Sequence, residues 1–372
     1  MTSAAPARSQ VSPEDFAEIL RATREFVRSR VMPRENEIMA TDALPADLRA
    51  AAAGLGLFGF AIPQEWGGLG LDLVQDVELA MELGYTSLAL RSMFGTNNGI
   101  AGQVLVNFGT DEQKAAWLER LASGEVVASF ALTEPGAGSN PAGLRTRAVR
   151  DGDDWVISGA KRFITNAPVA GLFVVFARTR EAAGADPGIA VFLVPAGTPG
   201  LEIGPHDRKM GHEGAWTADV TLTGVRVPAA ALIGGSEEVG YQAAMSSLAR
   251  GRVHIAAVAV GAARDMQTGV LAGESLVREC ARKYQSGEDR PIAPLGGQAL
   301  LHRDGRAGRR QCGAGPRRRR LHTRGARRTD LPRRAAAPPL RGHQRDPAAH
   351  HRRRPGAKRE APAQPPVKLG HA

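Results

Sequence analysis

The chain has 372 residues, long enough for two or three domains with a sizeable core. Its two cysteines, Cys280 and Cys312, are too few for a disulfide framework and fit a reducing cytoplasm, where we expect the protein. The N-terminus lacks a charged-then-apolar signal pattern, and no apolar run is long enough to cross a bilayer. A net charge of +10 would ordinarily indicate a nucleic-acid partner, but the basic residues are unevenly distributed.

The first third of the chain, residues 1–125, is predicted to be a helical domain. Ser12 is a plausible N-cap because Pro13 follows at the first helical position. Apolar residues then recur at helical spacing as far as Pro33. Further along, Thr110 and Gln113 form a capping box at the start of another helix. We expect these apolar stripes to be core packing and assign them no chemistry.

Strand patterns dominate residues 126–235, and helical patterns follow over residues 236–294. Short apolar runs bounded by Gly, Pro and Asp occupy 172–176, 189–194 and 220–227, a spacing typical of a small barrel or sandwich. From Gly240 onward, Ala, Val and Gly occur on several sides of a helical pattern, as in a helical bundle. The sequence therefore predicts an α+β protein with several domains.

A small-residue loop at Phe130–Ser139, reading F-A-L-T-E-P-G-A-G-S, is the first candidate site. It follows a predicted strand, and its glycines leave main-chain N–H groups unshielded, so that a phosphate or a flat polar ring could approach closely. Alone, such a loop is more often an ordinary turn after a strand. A second segment, A-K-R-F-I-T-N-A at 160–167, follows a hairpin whose turn signal is Asp151-Gly152.

Together, the A-L-T-E-P-x-A-G-S and G-x-K-x-F-I-T-N-A motifs resemble those of the acyl-CoA dehydrogenase family, flavoenzymes that desaturate acyl-CoA thioesters. The resemblance runs from about residue 12 to 263 and resumes from 265 to about 294. One departure is Asn140, which stands where the family usually has Asp. The family fold implies a helical N-terminal domain, a β-barrel middle domain that holds FAD, and a C-terminal helical bundle.

The resemblance also implies roles for individual residues. The first motif would lie along the flavin ring and pyrophosphate, with Thr133 at the pyrimidine edge of the ring. The second would cover the other side, with the Thr165 hydroxyl near the hydride-accepting nitrogen. Ser139 would lie where both FAD and acyl-CoA pass, and Arg252 matches an arginine that faces the substrate. The residues implied to bind the cofactor are Phe130, Ala131, Leu132, Thr133, Ser139, Phe163, Ile164 and Thr165, and those implied to bind substrate are Ser139 and Arg252.

Other interpretations of these residues remain open. Thr133 and Thr165 could be ordinary strand threonines, and Arg252 a solvated or ion-paired helix arginine. His206, His212 and His254 lack a metal-ligand spacing, so we expect structural roles and no metal. As partners, the family implies an electron-transfer flavoprotein that accepts electrons and a homo-oligomer, a dimer or a tetramer.

The C-terminal part departs from the family in two ways. After Arg264 the sequence passes at once to a segment that the family places about thirty residues further on, so the bundle is expected to be incomplete. In the family, the glutamate that removes the substrate's α-proton lies late in the bundle or, in some members, just before the arginine matched by Arg252. Gly251 occupies that second position, and we identify no catalytic residue in frame.

Residues 295–372 change in composition. No Phe, Trp or Tyr follows Tyr284, and Arg317–Arg320 is an unbroken basic run, so this tail is predicted to be disordered. Read one nucleotide later, allowed codons for 340–354 permit Y-E-G-T-S-E-I-Q-R-L-I-I-G-G-G, which resembles the family's catalytic segment. The same shift permits Q-V-H-G-G from Ala314 and K-L-F-C-T-E-M from Gln298. Three such matches in order favour an out-of-frame tail.

The sequence thus predicts an acyl-CoA dehydrogenase by descent whose activity is impaired. One alternative keeps the fold but reacts with O₂, as a flavin oxidase or monooxygenase. Another is a nucleic-acid-binding protein that acts through the basic tail. The length and branching of the acyl chain do not follow from the sequence.

Overall fold

The computed structural model describes residues 9–180, 188–263 and 270–288, all within one compact unit. Over these ranges a helical region is followed by a curled sheet and then by two further helices. The helices before the sheet are α1 Pro13–Phe26, α2 Glu35–Thr41, α3 Ala46–Gly54, α4 Leu73–Leu83, α5 Leu88–Gly95, α6 Ala101–Phe108 and α7 Asp111–Ala122. Those after it are α8 Gly240–Ala263 and α9 Val270–Ser286.

Both predicted helix starts are confirmed. The Ser12 side chain accepts a hydrogen bond from the Asp15 N–H, and Thr110 and Gln113 form the reciprocal bonds of a capping box at α7. Between α5 and α6 the helix widens into a π-helical turn, Thr96–Ile100, which the apolar pattern did not predict. Such turns insert a residue into a helix and often occur at functional sites.

The middle region is a seven-stranded sheet with the order β1-β4-β2-β3-β7-β6, and β5 pairs with β4. The strands are β1 Ala128–Ala131, β2 Arg147–Asp151, β3 Asp154–Thr165, β4 Leu172–Arg178, β5 Ile189–Pro195, β6 Leu201–His206 and β7 Thr217–Pro228. The predicted hairpin is β2 and β3, where Asp151 pairs with Asp154 across the turn. Strand β6 was not predicted, because its side chains are mostly exposed and give no apolar run.

Alternation along the strands divides the core into two layers. On β4, Val174 and Phe176 contribute to an outer cluster against the helices, whereas Phe173 and Val175 contribute to an inner cluster within the curled sheet. Because successive strand residues face opposite sides, one strand serves both layers. The sheet thereby presents one face to the helices that surround the candidate site.

Helix α8 crosses α4 at close range. A Cβ on Gly84 would stand 2.2 Å from the Val258 carbonyl oxygen, and one on Gly261 would stand 2.0 Å from that of Met81, so the crossing requires glycine at both positions. Helix α9 adds Val277 and Ala281 to the same apolar cluster. The 264–269 junction and the tail from 295 lie outside the described residues, as do the last residues of the region predicted to be a partial bundle.

Candidate functional site

A cavity of about 450 Å³ lies between the ends of β1 and β3, the π-helical turn and α8. Its volume is in the range of small-molecule sites, and its walls are mainly apolar with a few polar groups, as such sites usually are. The lining residues are Thr96, Ile100, Phe130, Leu132, Thr133, Gly138, Ser139, Pro141, Phe163, Ile164, Thr165, Met245, Leu248 and Arg252. Both sequence motifs therefore meet at one cavity.

The first motif reaches the cavity by strand alternation. Phe130 and Leu132 line it, whereas the intervening Ala131 is fully buried in the inner cluster, so only the main chain of Ala131 could contact a ligand in the cavity. Beyond the strand, the Glu134 N–H donates to the Ala137 carbonyl at 3.0 Å and closes a tight turn. A Cβ on Gly138 would meet no protein atom within 4 Å, which leaves open space above the main chain.

The second motif reaches the cavity through an irregularity in β3. The register against β7 shifts between Lys161 and Ile164, and Phe163 adopts a φ of 58°. A positive φ is unfavourable for a bulky residue and marks stored strain. Phe163 is also 58% exposed, so the irregularity directs an aromatic ring outward and toward the cavity instead of into the core.

Asn166 ties the second motif to the helical region. Its side-chain amide donates to the Ser92 carbonyl and to the Thr96 hydroxyl, each at 2.9 Å, and its own φ is 64°. Asn tolerates this left-handed conformation better than most residues. The contact fixes the π-helical turn, which supplies Thr96 and Ile100, against the end of β3.

Four polar side chains in the cavity wall have no partner within the described part of the chain. They are the hydroxyls of Thr133, Ser139 and Thr165 and the guanidinium of Arg252. Donors with no protein partner, set in a mainly apolar wall, form a donor set that suits a flat polar ligand or an anion. The sequence-predicted residues other than Ala131 thus line one cavity, although the Ile164 side chain, like that of Ala131, is buried in the inner cluster.

Within the part of the chain that the structure describes, the cavity lining includes no carboxylate. Gly251 precedes Arg252 on α8, and a Cβ there would stand 3.0 Å from Cγ2 of Ile100. Among the described residues, the cavity wall therefore contains no group suited to act as a general base at neutral pH.

Sequence reasoning missed several lining residues. Met245 and Leu248 precede Arg252 by seven and four positions, a helical spacing that would have assigned them to the same face of α8. Thr96 and Ile100 carried no such signal, because the π-helical turn and its contact with Asn166 depend on tertiary packing.

The described part of the chain contains no group of three or more His, Cys, Asp or Glu side chains placed to hold a metal ion. His254 is buried, and its Nδ1 lies 2.5 Å from the Asp76 carboxylate. Among the described helices, none has both the length and the apolarity that crossing a bilayer requires.

Two regions of the chain match domains of known proteins. The profile of the acyl-CoA dehydrogenase N-terminal domain matches residues 13–125, and that of the acyl-CoA dehydrogenase middle domain matches residues 129–225. The chain is 35% identical to the short-chain specific acyl-CoA dehydrogenase of human mitochondria over 68% of its own length and 61% of that protein. It is 34% identical to an acyl-CoA dehydrogenase of Bacillus subtilis, covering 73% of this chain and 69% of that one.

A solved structure has a similar fold. The glutaryl-CoA dehydrogenase of Mycobacterium smegmatis in complex with FADH2 superposes with a TM-score of 0.73 at 30% identity, covering 81% of this chain and 84% of that chain. The sequence match spans less than two thirds of the human relative.

Proposed function

The chain belongs to the acyl-CoA dehydrogenase family, and from this premise we propose that its cavity binds FAD and an acyl-CoA thioester. The observation that carries the proposal is the convergence of both motifs on one cavity, whose donors have no partner among the described residues. Phe130, Leu132, Thr133, Ser139 and the 163–165 segment hold the cofactor, and Ala131 contributes main chain only. Ser139 and Arg252 bind the substrate.

The cavity residues fit a flavin in chemistry. A flavin offers a flat apolar face and a polar edge, and the cavity pairs aromatic and aliphatic walls with hydroxyl and main-chain donors. Open space over Gly138 would let the cofactor approach the main chain closely. When bound, FAD supplies the electron acceptor, while the protein supplies position, hydrogen bonds and exclusion of water.

We further propose that this chain is a weak dehydrogenase. Removal of the α-proton needs a base, and such catalysis typically contributes about a hundredfold or more. No described carboxylate lines the cavity, and the position before Arg252 is glycine. Arg252 and the hydroxyls can still orient a thioester, so substrate binding should survive where turnover does not.

The domain arrangement belongs to the same proposal. Residues 1–125 form the helical domain, 126–235 a barrel-like middle domain, and 236–294 a bundle that lacks at least one helix of the family. The tail over 295–372 is translated out of frame. The nucleotide sequence around codons 264 and 295 tests this directly, and codons incompatible with the shifted reading would reject it.

The proposal extends to partners and location. An electron-transfer flavoprotein would accept the electrons in the cytoplasm, and a homo-oligomer would form to the extent that the shortened bundle allows.

The test of the proposed activity is turnover of acyl-CoA thioesters by the purified chain, with an artificial dye as acceptor. We expect FAD binding with turnover far below that of a complete relative. Brisk turnover by the unaltered chain would contradict the proposal.

A further inference from the structure

A buried ion pair lies directly behind the cavity lining. Lys161 is two residues before Phe163, and Glu134 follows Thr133, so each partner belongs to one of the two motifs. Their side chains are 0% and 6% exposed, and Lys161 Nζ lies 2.8 Å from Glu134 Oε1. Neither side chain lines the cavity.

The pair fixes the main chain that faces the ligand. Lys161 Nζ donates to the Leu132 carbonyl at 3.2 Å. In a trans peptide the C=O and the following N–H point in opposite directions, and the described chain has no cis peptide. The Thr133 N–H is therefore directed away from Lys161, and it has no partner among the described residues.

A second contact holds the next peptide in the same way. The Arg162 N–H donates to the Thr133 carbonyl at 2.8 Å, from the strand residue that follows Lys161. Consecutive carbonyls of the first motif are thus held by consecutive residues of the second. The orientation of the Thr133 N–H depends on the bond from Lys161, because it shares a peptide with the Leu132 carbonyl.

The Glu134 carboxylate accepts hydrogen bonds from donors other than Lys161. Its Oε1 accepts from the Thr146 N–H at 2.9 Å and from the Thr146 hydroxyl at 2.6 Å, and its Oε2 accepts from the Arg145 N–H at 2.6 Å. These bonds anchor the carboxylate whether or not its cation is present. Loss of the Lys161 charge would therefore leave a buried negative charge behind the cavity.

Resting on the proposed function, we propose that Lys161 is a positioning residue for the cofactor, which directs the Thr133 N–H at the flavin and cancels the charge of Glu134. A buried ion pair is weak evidence for stability, because apolar residues of similar volume often replace one at no cost. Its place behind both motifs, with bonds to the lining main chain, supports a role in ligand binding.

Burial moves the titration of Lys161 closer to neutral pH. It lowers the pKa of Lys161 to about 8, and the Glu134 carboxylate opposes that shift. Lys161 in turn holds the pKa of Glu134 below its usual value against the effect of burial. No other charged group acts on Lys161 within the described chain, and the adjacent Arg162 side chain lies near Asp219. Above pH 8 the pair therefore passes from net neutral to net negative.

The test is FAD affinity as a function of pH, measured by flavin fluorescence on the full chain. For the wild type we expect the Kd to rise on the order of tenfold between pH 7 and pH 9.5, because binding next to an uncompensated carboxylate is disfavoured. Lys161→Met should bind weakly at every pH and show no step near pH 8. Lys114→Met, which removes an amine on α7, should behave as the wild type.

A double variant separates electrostatics from simple loss of structure. Lys161→Met with Glu134→Gln removes both charges, so it should recover part of the affinity at pH 7 and still lack the pH step. Equal affinity and an unchanged pH step in Lys161→Met would overturn the inference, and so would a double variant no better than Lys161→Met. A folded wild type that binds no FAD at any pH would refute the proposed function and this inference together.

Discussion

Phe163 shows how a motif residue acquires its place. The motif predicted that it would face a ligand, and the structure places it on the cavity wall with a positive φ and substantial exposure. The sequence could not predict the cause, which is the register shift between β3 and β7. Ala131 illustrates the opposite case, since a contiguous motif named it but strand alternation turned its side chain into the inner cluster.

The Thr165 hydroxyl gives a prediction at this scale. Thr165→Val keeps the shape of the side chain but removes a donor that has no partner among the described residues, so FAD affinity should fall roughly fivefold. Thr221→Val, on the exposed side of β7, serves as the matched control. Flavin fluorescence titration of both variants measures the effect. Equal affinities would show that this hydroxyl does not contact the cofactor.

Gly251 gives a second prediction. Gly251→Glu places a carboxylate beside Arg252, and Ile100→Ala relieves the 3.0 Å contact that the new Cβ would make. The double variant should raise acyl-CoA turnover on the order of a hundredfold, since it restores a general base. Gly251→Gln with Ile100→Ala has the same shape without the base and should show no gain. A similar gain in both variants would contradict the assignment.

At the scale of elements, local signals predicted most of the framework. Caps gave the starts of α1 and α7, and apolar runs gave β4, β5 and β7. The sequence did not predict features that depend on tertiary contacts, among them the π-helical turn and the exposed strand β6. The crossing of α4 and α8 carries another such feature, a buried polar network that no periodicity indicates.

That network joins the two helices through one carboxylate. Asp76 on α4 contacts His254 Nδ1 at 2.5 Å and Arg250 at 3.0 Å, and the His254 ring stacks on Phe60. Burial lowers the pKa of His254, assisted by the charges of Arg91 and Arg250 and opposed by Asp76. At neutral pH the folded chain therefore holds His254 neutral, and its Nε2 is buried with no hydrogen-bond partner among the described residues.

A pH dependence of stability follows from this. Unfolded His254 takes up a proton near its ordinary pKa of 6.5, whereas burial lowers the pKa of folded His254, so acid favours the unfolded state. The free energy of unfolding should fall by about 1 kcal/mol from this group between pH 7 and pH 5.5. Urea unfolding at the two pH values measures it. His254→Phe should flatten the dependence, while His206→Gln on β6 should preserve it.

At the scale of the whole molecule, the family assignment has been tested, whereas the predictions about the C-terminal part have not. The family assignment is confirmed by profiles that match both folded regions. The incomplete bundle and the out-of-frame tail remain predictions, because the junction and the tail lie outside the described residues. The nucleic-acid alternative, which rests on the basic tail, likewise remains a prediction.

We propose that two motifs, brought together by packing of a curled sheet against helices, form a flavin site that survives the loss of the catalytic base. Equilibrium dialysis of the purified full chain against FAD, with folding verified by circular dichroism, tests it most directly. We expect saturable binding of one FAD per chain, weakened in Thr165→Val. A folded chain that retains no FAD would contradict it.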